Sequence, residues 1–104
     1  MYKIEFYVPE SGLEKVKNAM FQAGAAVIGN YDCCAWQIKG EGQFRPLEGS
    51  KPFIGETNKI EKIPEYKVEL VCPDDKIKEV IAALKASHPY ETPAYQHWKV
   101  NPII

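Results

Sequence analysis

The apolar residues of this chain repeat at two spacings, and the order in which those spacings occur restricts the fold. A period of two residues indicates a strand with one buried face, and a period of three to four indicates an amphipathic helix. Strand-like segments are residues 2–8, 34–38, 65–72 and 94–100, and helical segments are residues 12–23 and 77–84. The predicted order is therefore β-α-β-β-α-β.

Capping signals mark the ends of both predicted helices. Ser11 followed by Glu14 has the form of a capping box, and Gly24 is a C-terminal stop signal. Asp74 or Asp75 is predicted to cap the second helix. We therefore expect a side-chain cap at the N-terminus of each helix.

This element order is that of the split-βαβ, or ferredoxin-like, sandwich. In this α+β fold, two helices cover one face of a four-stranded antiparallel sheet. The chain has 104 residues, which suits a single domain over residues 1–104. A domain of this size is only marginally stabilised by its own core, so association with further copies would help it.

The predicted connection between the second and third strands is unusually long. It covers about residues 40–64 and is rich in glycine and proline. Connections of this length in a compact domain are usually functional or disordered. Gly40 and Gly42 also permit the second strand to continue through Phe44. We expect this segment to carry the function of the protein.

Composition argues against several classes of protein. The net charge is −1 and the sequence pI is near 6.1, whereas nucleic-acid binding requires a basic face. No apolar run approaches the roughly 20 residues that span a bilayer, and the N-terminal residues alternate and include an acid, unlike a signal peptide. The three cysteines include an adjacent pair, which suits neither a disulfide framework nor a zinc ribbon. The predicted location is therefore the cytoplasm, with reduced thiols.

Arg45 is the only arginine among 13 basic residues. A guanidinium is a rigid fork that suits a carboxylate or a phosphate, and flanking glycines such as Gly42 let the backbone approach an anion. The alternative is a salt bridge from Arg45 to a neighbouring subunit. We expect Gly42 to serve backbone geometry and Phe44 to pack, with Pro46 closing this candidate ligand-binding or interface segment.

Four segments together resemble a known protein domain. They are residues 23–34, 40–46, 52–55 and 88–95. In order and spacing they are similar to the domain inserted into the Nif-three-like proteins, also called GTP cyclohydrolase I type 2 homologues. The chain lacks the histidine- and acid-rich halves that flank this insert in members with a metal-dependent core. The resemblance therefore implies a free-standing insert domain without hydrolase or cyclohydrolase activity.

A second, more local resemblance concerns the His-Pro-Tyr-Glu-x-Pro run that starts at His88. It resembles a motif of the CutA divalent-cation-tolerance proteins, which share the ferredoxin-like plan with the PII signalling proteins. Both groups form trimers, and PII proteins carry a long loop between strands two and three that binds partners and nucleotides. The resemblance implies a homotrimer whose sheets pack around a three-fold axis. Its candidate sites are inter-subunit clefts lined by residues 42–46 and by His88, Tyr90 and Glu91.

The same run allows a metal-binding hypothesis. Imidazole and carboxylate suit several divalent metals, so His88 and Glu91 are candidate ligands. Two ligands do not close a site, and Cys33 or the symmetry of a trimer would have to complete it. The alternative is a stiff structural corner, in which Pro89 fixes the backbone and Tyr90 buries its ring.

No acid–base–nucleophile set is readable from the sequence. We therefore predict a non-enzymatic, trimeric binding or regulatory module that takes a small-molecule or anionic ligand. The alternative prediction is a divalent-metal-binding protein that uses His88, Glu91 and Cys33. No other cofactor, nucleic acid or membrane partner is predicted.

Overall fold

Six main elements follow the chain in the predicted order, in a computed structural model that describes residues 1–103. They are β1 (Tyr2–Pro9), α1 (Glu10–Gln22), β2 (Ala35–Phe44), β3 (Glu61–Cys72), α2 (Ile77–Ser87) and β4 (Tyr95–Lys99). The strands form one sheet in the order β2-β3-β1-β4, and every neighbouring pair is antiparallel. The predicted ferredoxin-like α+β fold is confirmed.

The core lies between the sheet and the two helices. Alternate side chains of the two central strands point to the helices, since a strand presents every second residue to one face. The residues of β1 and β3 that are buried there are Ile4, Phe6, Val8, Val68, Leu70 and Cys72. Val16, Met20, Val80 and Leu84 complete the core from the apolar stripes of α1 and α2. The alternation and the helical stripes thus place the core where the sequence predicts it.

The predicted N-terminal caps are wrong. Helix α1 begins directly after Pro9, which is extended, and no side chain caps it. Glu14 therefore lies inside the helix, where it pairs with Lys17 at 2.9 Å. Asp74 caps no helix either, because its carboxylate binds the N-terminal ammonium group and the Lys99 amine. Gly24, by contrast, follows the end of α1 with a φ of 115°, a conformation that favours glycine.

The connection between β2 and β3 is shorter than the predicted loop over residues 40–64. The two strands stay paired out to Phe44 and Glu61, which leaves residues 45–60 as the loop. Strand β2 continues through Gly40 and Gly42 to Phe44, as those glycines permit, so the loop begins only at Arg45. Strand β1 pairs with β3 only from Glu65 onwards. Residues 41–44 and 61–64 therefore form a two-stranded extension beyond the body of the sheet, here called the arm.

No helix within residues 1–103 is both long enough and apolar enough to cross a membrane.

Candidate functional site

A cleft of about 530 Å³ lies where the arm and the loop meet the segment after α2. One wall is the end of β2 and the start of the loop, with Phe44, Arg45 and Pro46. The opposite wall includes Tyr90 and Glu91. The structure thus brings five of the seven candidate residues into one cleft within a single chain. The other two do not line the cleft, but each contacts a residue that does: Gly42 lies against Glu65, and His88 lies against Tyr90.

Tyr90 is at the centre of an aromatic cluster. The centroid of its ring lies 6.0 Å from that of Phe44, 6.3 Å from that of Phe53 and 5.0 Å from that of His88. These distances are in the range of favourable tilted aromatic pairs. Phe53 and Leu47, which also line the cleft, remain 55% and 57% exposed. A large apolar surface open to solvent in a concave site is typical of a binding surface.

The hydroxyl group of Tyr90 donates a hydrogen bond to Glu65 Oε2 at 2.7 Å. Burial is the main cause that raises the pKa of Tyr90 above its usual value, and the neighbouring Glu65 carboxylate raises it further. This tyrosine therefore stays protonated and keeps its hydrogen bond at any physiological pH.

Gly42 gives Glu65 the room to make that bond. A Cβ atom built on Gly42 would lie 1.9 Å from Glu65 Oε1, which no packed structure tolerates. Gly42 is not among the glycines with a positive φ. Its role is therefore the close approach of a side chain, and not the backbone conformation that the sequence analysis expects.

His88 holds the segment after α2 against the sheet. It is only 7% exposed. Its Nε2 lies 2.7 Å from the carbonyl oxygen of Tyr7, and its Nδ1 accepts a hydrogen bond from the Tyr90 backbone N–H at 3.1 Å. This pair of partners requires a neutral ring with the proton on Nε2. Burial lowers the pKa of His88, which favours the same neutral form.

Glu91 ties the loop to this segment, because its Oε1 accepts a hydrogen bond from the backbone N–H of Lys51 at 3.0 Å. Arg45 is exposed and forms no ion pair with any carboxylate in residues 1–103. The salt bridge predicted for Arg45 is to a neighbouring subunit, and it stays a prediction, as does the ligand contact. The guanidinium of Arg45 is free to meet a ligand or another subunit.

The three candidate metal ligands do not come together. Cys33 is exposed and precedes β2, at the end of that strand remote from the cleft. Both ring nitrogens of His88 already have protein partners. Among residues 1–103, no group of three His, Cys, Asp or Glu side chains is arranged to hold a metal ion. A metal site at His88 and Glu91 stays a prediction that would need ligands from another subunit.

Sequence reasoning does not single out Glu65 or Phe53 as site residues. Glu65 lies within the predicted third strand, but its part in the cleft depends on Gly42. This glycine lies diagonally across the hairpin from Glu65, two residues along β2 from Gly40, which is the direct partner of Glu65. The signal was present in the pair of glycines in β2, since a strand glycine often marks a close approach. Phe53 comes from the loop, and its position depends on contacts remote in sequence.

Comparison with known proteins supports the resemblance to the Nif-three-like insert, although no protein-family model matches the chain. A GTP cyclohydrolase 1 type 2 homolog of Bacillus subtilis is 45% identical over 99 residues, which are 95% of this chain and 26% of the relative. A crystal structure of a Bacillus cereus protein related to NIF3 superposes with a TM-score of 0.82 at 33% identity, over 97% of this chain and 26% of that one. The resemblance is confirmed for a segment: the chain spans about a quarter of the length of the curated relatives that it matches.

More distant structures share the fold over most of their length. CutA1 from Pyrococcus horikoshii has a TM-score of 0.70 at 23% identity, over all of this chain and 87% of that one. The PII-like protein CutA from Nostoc sp. PCC 7120 has a TM-score of 0.68 at 12% identity, over 97% of this chain and 82% of that one. At these identities the likeness shows the fold alone, and it confirms that the fold is CutA- and PII-like.

Proposed function

From its kinship with one segment of the GTP cyclohydrolase 1 type 2 homologues, we propose that this chain is a non-enzymatic binding module that acts as a homotrimer. The observation that supports this most directly is the cleft, where Arg45, which has no ion-pair partner among residues 1–103, stands beside exposed apolar side chains. Its volume of about 530 Å³ is that of a small-molecule site. The proposed role is to bind a small ligand, and thereby to order the loop over residues 45–60.

The titratable groups around the cleft favour binding over catalysis. Tyr90 is held protonated by its burial and by Glu65. His88 does not line the cleft, and both of its ring nitrogens are engaged. A general acid or base needs a pKa near the working pH and access to the substrate, and neither group meets both requirements. Ser50 and Thr92 also line the cleft, but the Ser50 hydroxyl donates to the Leu47 carbonyl oxygen. His88 has no free ring nitrogen to activate either hydroxyl.

The sheet face opposite the helices supports the proposed trimer. This open face carries three large apolar side chains, Trp36, Ile38 and Trp98, which are 58%, 53% and 42% exposed. Both edge strands, β2 and β4, also have one unpaired side within the described chain. Exposed edges and apolar faces of this kind are usually covered by a partner. Packing three open faces together would remove this surface from water.

Trp36→Glu is expected to convert the trimer into monomers. The new carboxylate would be buried in the assembly beside Glu69, which lies opposite position 36 on β3. An unpaired buried charge is strongly unfavourable. Native mass spectrometry at micromolar concentration measures the result as a change from three subunits of 11.8 kDa to one. Lys15→Glu, on the exposed surface of α1, is the matched control and should stay trimeric. A monomeric wild-type protein would remove the basis of the trimer.

A thermal-shift series with small carboxylates and phosphates tests the binding role. A ligand at 100 times its Kd stabilises a folded protein by about 2.7 kcal/mol. We expect at least one compound to raise the melting temperature of the wild-type protein, and Arg45→Ala to abolish that rise. If Arg45→Ala lowers the melting temperature without ligand and changes no ligand response, Arg45 is a structural contact and the binding role is wrong.

A further inference from the structure

The cleft presents charges of both signs to anything that enters it. Arg45 contributes a guanidinium with no ion-pair partner in the described chain. Glu91 contributes a carboxylate with one oxygen on the Lys51 backbone N–H. The other oxygen of Glu91 has no hydrogen-bond partner within residues 1–103, and Glu91 is one of the residues that line the cleft. A ligand can therefore meet one free cationic group and one free anionic acceptor.

Aromatic rings line the same cleft as these two charges. The ring centroids of Phe44 and Phe53 lie 6.0 Å and 6.3 Å from that of Tyr90. Phe53 is 55% exposed, so a further ring placed against it would cover apolar surface that water now contacts. An aromatic guest also gains from tilted ring contacts of the kind already present in the wall.

From this arrangement, and resting on the binding role proposed above, we infer that the cleft binds a free α-amino acid with an aromatic side chain. Arg45 donates to the α-carboxylate, a geometry that the guanidinium fork suits. Glu91 accepts from the α-ammonium group, and the side chain of the ligand packs against Phe53 and Tyr90.

A zwitterion fits the charges better than a ligand of a single sign. A purely anionic ligand would bring negative charge close to Glu91 and Glu65, both of which line the cleft. A purely cationic ligand would bring positive charge into the cleft that Arg45 also lines, and like charges side by side weaken binding. An amino acid supplies both partners at once, and a cleft of about 530 Å³ has room for one with bound water.

Isothermal titration calorimetry on the wild-type protein tests this inference with four probes. The reference probe is L-phenylalanine. The other three each lack one of its groups: 3-phenylpropionate lacks the ammonium group, 2-phenylethylamine lacks the carboxylate, and L-alanine lacks the ring. Losing a charge-assisted hydrogen bond weakens binding by about tenfold or more. We expect L-phenylalanine to bind at least about tenfold more tightly than each other probe. The inference is overturned if either single-charge analogue binds as tightly as L-phenylalanine.

Two conservative variants assign the charges. Arg45→Gln should weaken the binding of L-phenylalanine by about tenfold and leave the affinity for 2-phenylethylamine almost unchanged. Glu91→Gln should weaken the binding of L-phenylalanine as well, but it should not weaken the binding of 3-phenylpropionate. Glu91→Gln keeps an acceptor for the Lys51 N–H, so the loop should remain in place. Lys62→Gln and Glu48→Gln remove the same charges from exposed positions outside the cleft and should change no affinity.

The inference and the proposed function can fail separately. If no aromatic amino acid binds at millimolar concentration, while a compound of the thermal-shift series stabilises the trimer through Arg45, the amino-acid inference is wrong and the binding role stands. If neither binds and the protein is monomeric, both are wrong.

Discussion

His88→Ala is expected to lower the free energy of unfolding by about 3 kcal/mol. The substitution leaves the carbonyl oxygen of Tyr7 and the backbone N–H of Tyr90 without their partners. It also leaves a void where a nearly buried ring was packed. In a domain of this length the loss corresponds to a fall in melting temperature on the order of 10 °C. Urea titration followed by circular dichroism measures the free energy of unfolding, and a thermal scan followed by the same signal measures the melting temperature.

His97→Ala is the matched control for this variant. His97 is exposed on the edge strand β4, and its only aromatic contact in the described chain is with the Tyr2 ring at 5.7 Å. Its removal should cost less than about 1 kcal/mol. A loss for His88→Ala as small as that of the control would mean that the two hydrogen bonds of His88 contribute nothing to stability.

His88 also makes the stability of the protein depend on pH in a defined direction. Burial lowers the pKa of His88 below the usual histidine value of about 6.5, so the unfolded chain takes up this proton at a pH where the folded chain does not. The contribution of His88 is therefore complete above about pH 6.5 and is lost as the pH falls towards the folded-state pKa. Between pH 7 and 5, the free energy of unfolding should fall more steeply in the wild-type protein than in His88→Ala. Equal slopes would contradict the neutral, buried form of this histidine.

Gly42→Ala is expected to destabilise the protein by about 1–2 kcal/mol by moving Glu65 away from Tyr90. The added methyl group would occupy the position of Glu65 Oε1, and that side chain can swing aside. Its hydrogen bond to the Tyr90 hydroxyl is then lost. The cost is that of one bond to a charged acceptor, reduced by the gain from replacing a strand glycine.

A double-mutant cycle with Tyr90→Phe identifies the cause. If Gly42→Ala acts through the Glu65–Tyr90 bond, the double variant should be little less stable than Tyr90→Phe alone, because the bond can be lost only once. Gly40→Ala is a close control: it lies two residues away on the same face of β2, and nothing lies within 4 Å of its added Cβ. Gly40→Ala should be neutral by itself and additive with Tyr90→Phe. Additive losses for Gly42→Ala would show that the glycine acts in another way.

The parts of the structure that the sequence predicts are those that depend on local periodicity. Ile4, Phe6 and Val8 alternate with polar residues, so their burial follows from the period of a strand. The capping prediction fails at Ser11 because Pro9 carries the chain from β1 directly into α1, with no residue left to serve as a side-chain cap. A capping motif can form only where the path of the backbone leaves a capping position, and the direct connection from β1 to α1 leaves none.

The candidate site is predictable only in part, for a different reason. The pairing of Arg45 with Tyr90 and Glu91 rests on a resemblance between distant segments, because no local pattern connects residues so far apart in the chain. Glu65 depends on strand register, and a shift of one residue would turn it to the opposite face. Register is fixed by pairing over the whole hairpin, which single residues do not reveal.

Because one wall of the cleft belongs to the arm, the two walls differ in stability. A two-stranded ribbon that no third strand supports is marginally stable in water, and such elements open locally while the rest of a domain stays folded. Phe44 belongs to that ribbon, whereas Tyr90 follows a helix anchored to the core. Warming should therefore separate the two walls, and so release a bound ligand, well before the domain unfolds. Affinity and stability in this protein would then have different temperature limits, and ligand release would need no global unfolding.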